Sequence, residues 1–267
     1  MRLISNPRLW VAVRQCLALT VALLTLSCSL IGCLEGPSQE TGPDLVVTYQ
    51  ATNATILETF EEGQLTDRLV ATLSFGFGGT TSVGALSTFG VERLDGQTIV
   101  TADAEDNDNV TMAFEEHGLH QLVLFAEDEN GRSSTTVTVR IELSIEWVET
   151  GTNDPMTMTM NTAPREGGTP ASALFIESTV ENPALINNVG GGQDVDVTWS
   201  LLDETHGTCQ RNEATIDDGD SVTWRTVHFN TVEVHELVVD YDGGQDTVDV
   251  HHRINVLHEA LESPPSP

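Results

Sequence analysis

The chain has 267 residues, of which 41 are Asp or Glu and 11 are Arg, and it contains no Lys, so its formal net charge at pH 7 is −30. A charge of this sign excludes a nucleic-acid or anionic-lipid surface built from basic patches. Apolar residues make up 39% of the chain, which is enough for a packed core. We therefore expect a folded, acidic protein that takes no nucleic acid as partner.

The first 32 residues have the layout of a secretory signal peptide. They contain Arg2, Arg8 and Arg14 but no acidic residue, and an apolar run follows at residues 17–31. A membrane-spanning helix needs about 20 apolar residues, so this run is short for a span. We predict that residues 1–32 are a signal peptide.

The segment Leu-Ile-Gly-Cys at residues 30–33 follows the apolar run directly. It resembles the bacterial lipobox, and the resemblance implies that Cys33 receives a diacylglyceryl thioether and an N-acyl chain. Lipid chains of this kind anchor a protein without spanning the membrane. The next residue is Leu34, where the family's inner-membrane retention signal has Asp, so the resemblance implies the outer membrane. An unmodified Cys33 after an ordinary cleavage site is the alternative.

Beyond the predicted anchor, residues 33–44 are rich in Gly and Pro and are predicted to form a flexible tether. The dominant pattern after the tether is period two. Apolar residues alternate with polar ones from Val137 to Ile145 and again from Val248 to Val256, where His252 falls on the apolar register. Such alternation predicts long β-strands with one buried face.

The two halves repeat one another in order and spacing. His120-Gln121-Leu122-Val123-Leu124 is followed 115 residues later by His235-Glu236-Leu237-Val238-Val239. Earlier segments match as well, with 108–112 similar to 220–224 and 91–96 similar to 199–204. A repeat of about 100 residues predicts two related domains. We assign them to residues 45–146 and 147–257, and we predict that the Pro-rich tail, residues 258–267, is disordered.

Residues 114–139 resemble the last hairpin of a PKD-type immunoglobulin-like domain, and Trp199 with Asp203 resembles that family's strand C turn. The resemblance implies an all-β protein with two tandem immunoglobulin-like β-sandwiches, in which Trp199 is a core residue. His120 and His235 stand where such sandwiches carry a tyrosine corner. We therefore predict a structural role for both, each ring donating an N–H to a backbone carbonyl.

Two acidic loops are candidate Ca²⁺ sites, because Ca²⁺ takes six to eight oxygen ligands. A solvated acidic surface is the alternative, and the spacing of an EF-hand is absent. The candidate ligands are Asp103, Glu105, Asp106 and Asp108 in the first half and Asp217, Asp218 and Asp220 in the second. Apart from possible Ca²⁺, we expect no cofactor.

Other chemistry is less well supported by the sequence. Five of the eight His lie in the last 40 residues, which would suit a zinc site, but His251 and His252 are neighbours and point to opposite faces of a strand, so they cannot both bind one ion. Cys209 remains alone once the predicted signal and lipid are accounted for, and it is either a reactive thiol or a bystander. No hydrolase, phosphate-loop or dinucleotide motif is present, so we expect no enzyme.

Together these patterns predict a lipid-anchored, non-catalytic protein of the cell envelope that serves as a binding, adhesion or spacer module. Its partners would be the membrane, through the lipid, and a protein or glycan that the sequence does not identify. Two alternatives stay open: a Ca²⁺-stabilised structural subunit of an envelope complex, and a polysaccharide-binding accessory protein.

Overall fold

A computed structural model describes residues 42–94, 98–165, 167–184, 192–229, 231–244 and 247–266. The predicted signal peptide and Cys33 lie outside the described residues. Within the described ranges every regular element is a β-strand. In chain order the strands are β1 (Asn53–Glu61), β2 (Gln64–Leu69), β3 (Ala71–Gly76), β4 (Leu86–Arg93), β5 (Ile99–Asp103), β6 (Asn109–Phe114), β7 (Gly118–Asp128), β8 (Arg132–Thr152), β9 (Met158–Asn161), β10 (Ala173–Glu181), β11 (Val195–Asp203), β12 (Thr208–Ile216), β13 (Ser221–Phe229), β14 (Val234–Gly243) and β15 (Val248–Leu257).

The all-β sandwich fold is confirmed, and it follows from the period-two pattern. Along β8 the alternate residues Val137, Val139, Ile141, Leu143 and Ile145 are all buried, while the intervening side chains are partly exposed. Successive side chains of a strand point to opposite faces of the sheet, so this alternation places one face in the core.

Strand β8 is the spine of a nine-stranded sheet. Its first part, residues 132–141, pairs with β7, and its second part, residues 143–152, pairs with β15. Strand β1 runs parallel to the middle of β8 and pairs with residues 140–148. The main path of the sheet is β13-β10-β15-β8-β7-β4-β5, so strands from both halves of the chain belong to one sheet.

Two smaller sheets complete the sandwich. Strands β3 and β6 form a two-stranded sheet, and strands β12-β11-β14-β9 form a four-stranded sheet. Phe75 of β3 and Met112 of β6 share a core with Leu122 of β7 and Val139 of β8. Trp199 of β11 lies in a second core cluster, together with strands β10, β14 and β15. Each small sheet therefore covers a different end of the large one.

The predicted boundary at residues 146/147 falls inside β8. Trp147 and Glu149 continue the buried register, because the Glu149 carboxylate accepts hydrogen bonds from Trp147 Nε1 (2.7 Å) and from the backbone N–H of Met156 (3.0 Å). The first core cluster also includes Met158, Met160 and Ile254, which belong to the second half. The assignment of two domains stays a prediction, but the two halves share a strand and a core.

The C-terminal tail differs from the prediction of disorder. Ser263 donates its backbone N–H to Thr138 O (2.9 Å), and Tyr49 donates its N–H to Ser266 Oγ (2.7 Å). Glu262 binds the Arg140 guanidinium through two hydrogen bonds of 2.8 and 2.9 Å. A Pro-rich composition removes backbone donors, but the Ser and Glu residues of the tail supply other partners. Residues 258–266 therefore run along the first half as a strap.

Candidate functional site

A cavity of about 180 Å³ lies where the two halves meet, and we call it the junction cavity. Its walls come from β1, β2, β8 and β9 and from two loops at residues 115–117 and 163–165. A water occupies about 30 Å³ of liquid, so the junction cavity has room for about six waters or one small polar ligand. Strand β1 pairs with residues 140–148 of β8, and this pairing brings the two strands together in the cavity wall.

One wall of the junction cavity is apolar. Phe60 of β1 and Trp147 of β8 stack with their ring centroids 5.5 Å apart and their planes inclined by 27°. Ile145 and Met158 extend the same wall. The period-two register of β8 produces this surface, since Ile145 and Trp147 are two residues apart and point the same way.

The opposite wall is ionic. Arg68 Nε lies 3.1 Å from Glu58 Oε1, and the Arg68 guanidinium also donates to the backbone carbonyl of Glu115. Despite its proximity to Glu58, Arg68 Nε makes no hydrogen bond, and the buried Glu116 Oε2 makes none either. Buried polar atoms are nearly always hydrogen-bonded, so this donor and this acceptor are unusual. Both residues line the junction cavity.

His117 connects this wall to the strap. Its ring donates an N–H to the backbone carbonyl of Asn161, so His117 Nδ1 is left as the acceptor for His258 Nε2, 2.9 Å away. Burial is the largest cause that lowers the pKa of each ring to about 4, and His120 adds to it in both cases. Both imidazoles are therefore neutral at pH 7, and the pair ties the start of the strap to the loop before β7.

The predicted structural residues are all at strand positions. His120 Nε2 lies 3.0 Å from Glu116 O, four residues earlier, and His235 Nδ1 lies 3.1 Å from Leu202 O on the neighbouring strand β11. Trp199 is fully buried and donates its indole N–H to Ser178 Oγ at 2.8 Å. The locking role proposed for the two His rings stays a prediction.

The two acidic loops are in turns that lead into β6 and β13. Asp103 Oδ1 accepts the backbone N–H of Glu105 (2.9 Å), and the N–H of Asp220 bonds to Asp217 O (3.0 Å). Among the described residues, no three carboxylates from these loops bring oxygens within 4.8 Å of one another. A Ca²⁺ site would require Asp103, Glu105, Asp106 and Asp108, or Asp217, Asp218 and Asp220, to rearrange, and it stays a prediction.

Sequence reasoning missed the junction cavity. Its ionic residues come from β1, β2 and the loop before β7, and no motif joins them. Acidic residues are so numerous that Glu58 and Glu116 carry no signal in the sequence. The available signal was the scarcity of Arg, since the chain has 11 Arg against 41 acidic residues. Each Arg therefore has many possible acidic partners, yet Arg68 lies partly buried beside the cavity.

None of the described residues forms a helix with the length and hydropathy that a membrane span requires.

No protein-family model matches the chain, and no curated protein matches it either. A solved structure described as a carbohydrate-binding module from the β-sandwich superfamily is 10% identical, with 83% of this chain and 94% of that chain covered and a TM-score of 0.28. A structure of the infectious bursal disease virus Gx strain is 13% identical, with 85% and 70% covered and a TM-score of 0.25. A chain from Clostridium perfringens ZmpB, with a module bound to GlcNAc, is 13% identical, with 78% and 48% covered and a TM-score of 0.18. At such values the similarities carry no information about the ligands of this chain.

Proposed function

We propose that the protein is a lipid-anchored, non-catalytic binding module of the cell envelope, and that the junction cavity is its ligand site. The single observation that carries the proposal is the ionic lining of this cavity, where the buried Glu116 Oε2 makes no hydrogen bond and Arg68 Nε forms an ion pair with Glu58 at 3.1 Å but no hydrogen bond. A buried acceptor without a partner costs about 1–3 kcal/mol, and a bound ligand would recover that free energy.

A hydroxyl-rich ligand fits this wall best. A hydroxyl group donates one hydrogen bond and accepts two, so one ligand can serve both Arg68 as donor and Glu116 as acceptor. The stacked rings of Phe60 and Trp147 offer an apolar surface to the C–H face of a sugar ring. A cavity of about 180 Å³ can take one terminal sugar. We therefore assign the ligand class as the exposed end of a glycan.

The binding test uses the full-length protein in detergent on an array of envelope and host glycans. We expect saturable binding to at least one glycan, weakened about 10-fold or more in Arg68→Met and in Glu116→Gln. Arg211→Met is the matched control, because Arg211 is exposed on β12 and pairs with Glu213. Equal binding by wild type and Arg68→Met, or no binding to any glycan, would contradict the proposal. Melting curves of each variant separate loss of the site from loss of the fold.

A spacer function is the second candidate, and the shared strand favours it. Because β8 runs without interruption through residues 132–152 and pairs with both β7 and β15, the two halves cannot bend about a flexible linker. A rigid unit of this kind would keep the junction cavity in one fixed geometry between the two halves. The alternative of a Ca²⁺-stabilised subunit predicts that Ca²⁺ raises the melting temperature more than NaCl of equal ionic strength.

A further inference from the structure

Three side chains of types that can bind a metal ion lie close together in the second half of the chain. One ligand atom each from Cys209, His228 and His235 lies within 4.8 Å of the others. They come from three strands, β12, β13 and β14, and from two different sheets. The rings of His228 and His235 meet edge to face with their centroids 4.9 Å apart. Among the described residues this is the only group of three such side chains that is close enough to hold one ion.

A β-bulge places Cys209 in this group. On β11, Leu201 pairs with Gln210 and Leu202 pairs with Thr208, so Cys209 is the extra residue between them. A bulge bends its strand and redirects the side chain of the extra residue. The neighbouring Gln210 then fixes β12 to β13, since its Nε2 donates to Val227 O (3.1 Å) and its Oε1 accepts from Thr226. This link holds Cys209 beside His228.

His235 is oriented as metal-binding imidazoles commonly are. Its Nδ1 donates to Leu202 O at 3.1 Å, so Nε2 is the ring nitrogen that carries the lone pair. The backbone N–H of Val232 shares this lone pair at 3.2 Å, a long contact that an ion could replace. Metal-bound His rings usually donate their other N–H to a carbonyl or carboxylate. The hydrogen bond predicted for a structural role of His235 and a metal bond at Nε2 therefore use different nitrogens.

The charge around the group also favours a cation. The acidic residues Asp203 and Glu204 lie close enough to His235 to interact with its ring, and Asp203 acts on Cys209 as well. The Cys209 thiol loses its proton when it binds a metal ion.

We propose that Cys209, His228 and His235 bind one Zn²⁺ ion. The ligand set is one thiolate and two imidazoles, which suits zinc and excludes Ca²⁺, a cation that prefers oxygen. In a tetrahedral zinc site the ligand atoms are about 3.5 Å apart, so ligand atoms within 4.8 Å of one another need a contraction of at most about 1.3 Å. Three protein ligands leave the fourth position for a water or an external ligand. The ion would join the edges of the two sheets.

The test measures Zn²⁺ binding to the full-length protein in detergent after treatment with a chelator. We expect one Zn²⁺ per chain at this site, with release of one proton from Cys209, and a dissociation constant raised about 10-fold or more in Cys209→Ser and in His228→Ala. Both side chains are at least partly accessible, so these variants are expected to fold. His206→Ala is the matched control: His206 is three residues from Cys209 but exposed and paired with Glu236 Oε2 at 3.3 Å.

Cobalt tests the assignment of ligands directly. Co²⁺ in the same site should give a thiolate-to-metal charge-transfer absorption that Cys209→Ser abolishes and His206→Ala retains. The difference between variants is decisive, because the full chain also contains Cys16, Cys28 and Cys33. Zn²⁺ affinity that is unchanged within about twofold in both Cys209→Ser and His228→Ala would overturn the proposal. Displacement of Zn²⁺ by millimolar Ca²⁺ would overturn it as well.

Discussion

The two halves carry the same sequence pattern for their last two strands but pair them differently. In the first half β7 and β8 form a hairpin, with Gly118–Glu127 opposite Arg132–Ile141. In the second half β14 pairs with β11 and β9, while β15 pairs with β10 and β8. Strands β14 and β15, although consecutive in the chain, therefore belong to two different sheets. Alternation therefore specifies which face of a strand is buried but not which strand lies beside it.

The length of β8 explains the difference. The strand continues for 11 residues beyond its last pairing with β7, and these residues offer hydrogen-bonding groups that β15 uses. The short strand β9 then takes the edge of β14 that the hairpin would have used. A shared strand of this kind makes the second half depend on the first. Four predictions test that dependence, from the largest expected effect to the smallest.

The largest effect is expected from Ile254→Ala, which opens a cavity where β15 joins β8. Ile254 is fully buried and lies opposite Ile145 of β8 and Ile176 of β10. Such truncations destabilise a core by about 2–5 kcal/mol, and we expect one cooperative urea transition that moves as a whole. Ile99→Ala is the control, since Ile99 is 54% exposed, and it should change little. Two separate transitions in the Ile254→Ala protein would show that the halves are independent.

Acid is expected to loosen the contact between strap and first half. Burial lowers the pKa of His117 and His258 to about 4, so below pH 6.5 the unfolded chain binds protons that the folded chain does not. The stability from this pair is complete above pH 6.5 and is lost as the pH falls toward 4. His120, Arg140 and Arg165 lie nearby and oppose protonation as well.

We expect unfolding free energy to fall by at least about 2 kcal/mol between pH 7 and pH 4, since each pKa unit is worth about 1.4 kcal/mol. In His258→Gln the fall should be smaller, because one of the two titrating rings is gone. The measurement is urea unfolding across this pH range. Buried His252, whose pKa burial lowers to about 3, contributes in both proteins and cancels in the comparison. An identical pH slope in both proteins contradicts the assignment.

The strap should also depend on its ion pair. Glu262→Gln keeps the size of the side chain but removes the charge that binds Arg140 at 2.8 Å. Both side chains are partly buried, and after allowance for solvent screening we expect a loss of about 1 kcal/mol. Glu213→Gln, in an exposed pair with Arg211, serves as the control and should have no measurable effect. Thermal unfolding of the two variants provides the test, and equal melting temperatures would count against the strap.

The smallest predicted effect compares the two turns. Asp128 Oδ1 accepts the backbone N–H groups of Asn130 (2.7 Å) and Gly131 (2.8 Å), which closes the β7–β8 hairpin. We expect Asp128→Ala to lower the melting temperature by a few degrees. Asp242→Ala should lower it less, because Asp242 accepts a hydrogen bond from Thr198 Oγ1 and β14 and β15 form no hairpin. The reverse order would mean that the two connections are misassigned.

The sequence predicted the elements better than it predicted their assembly. Alternation located β8 and β15, and it also placed His252 on the buried side, where it accepts a hydrogen bond from Ser178. Strand partners were not predictable in this way, because every strand with one apolar face satisfies the same rule. The end of β8 was misjudged for a local reason: Glu149 occupies a buried position through hydrogen bonds that only the folded chain supplies.

The candidate sites were harder to predict for the same reason. The junction cavity joins Arg68, Glu116 and Trp147, and the proposed zinc site joins three residues from three strands. The junction cavity depends on the pairing of β1 with β8, and the group around Cys209 depends on a bulge in β12. The sequence showed only that five His lie in the last 40 residues, and the fold alone brings His228 and His235 together with Cys209.

Hydrogen exchange of the backbone amides along β8 tests the shared strand most directly. If the two halves are one unit, amides at residues 143–148, paired with β15, should exchange with the same free energy of opening as amides at residues 132–141, paired with β7. Opening of β15 and residues 143–148 at a clearly lower free energy, while residues 132–141 stay protected, would contradict a single body built around this strand.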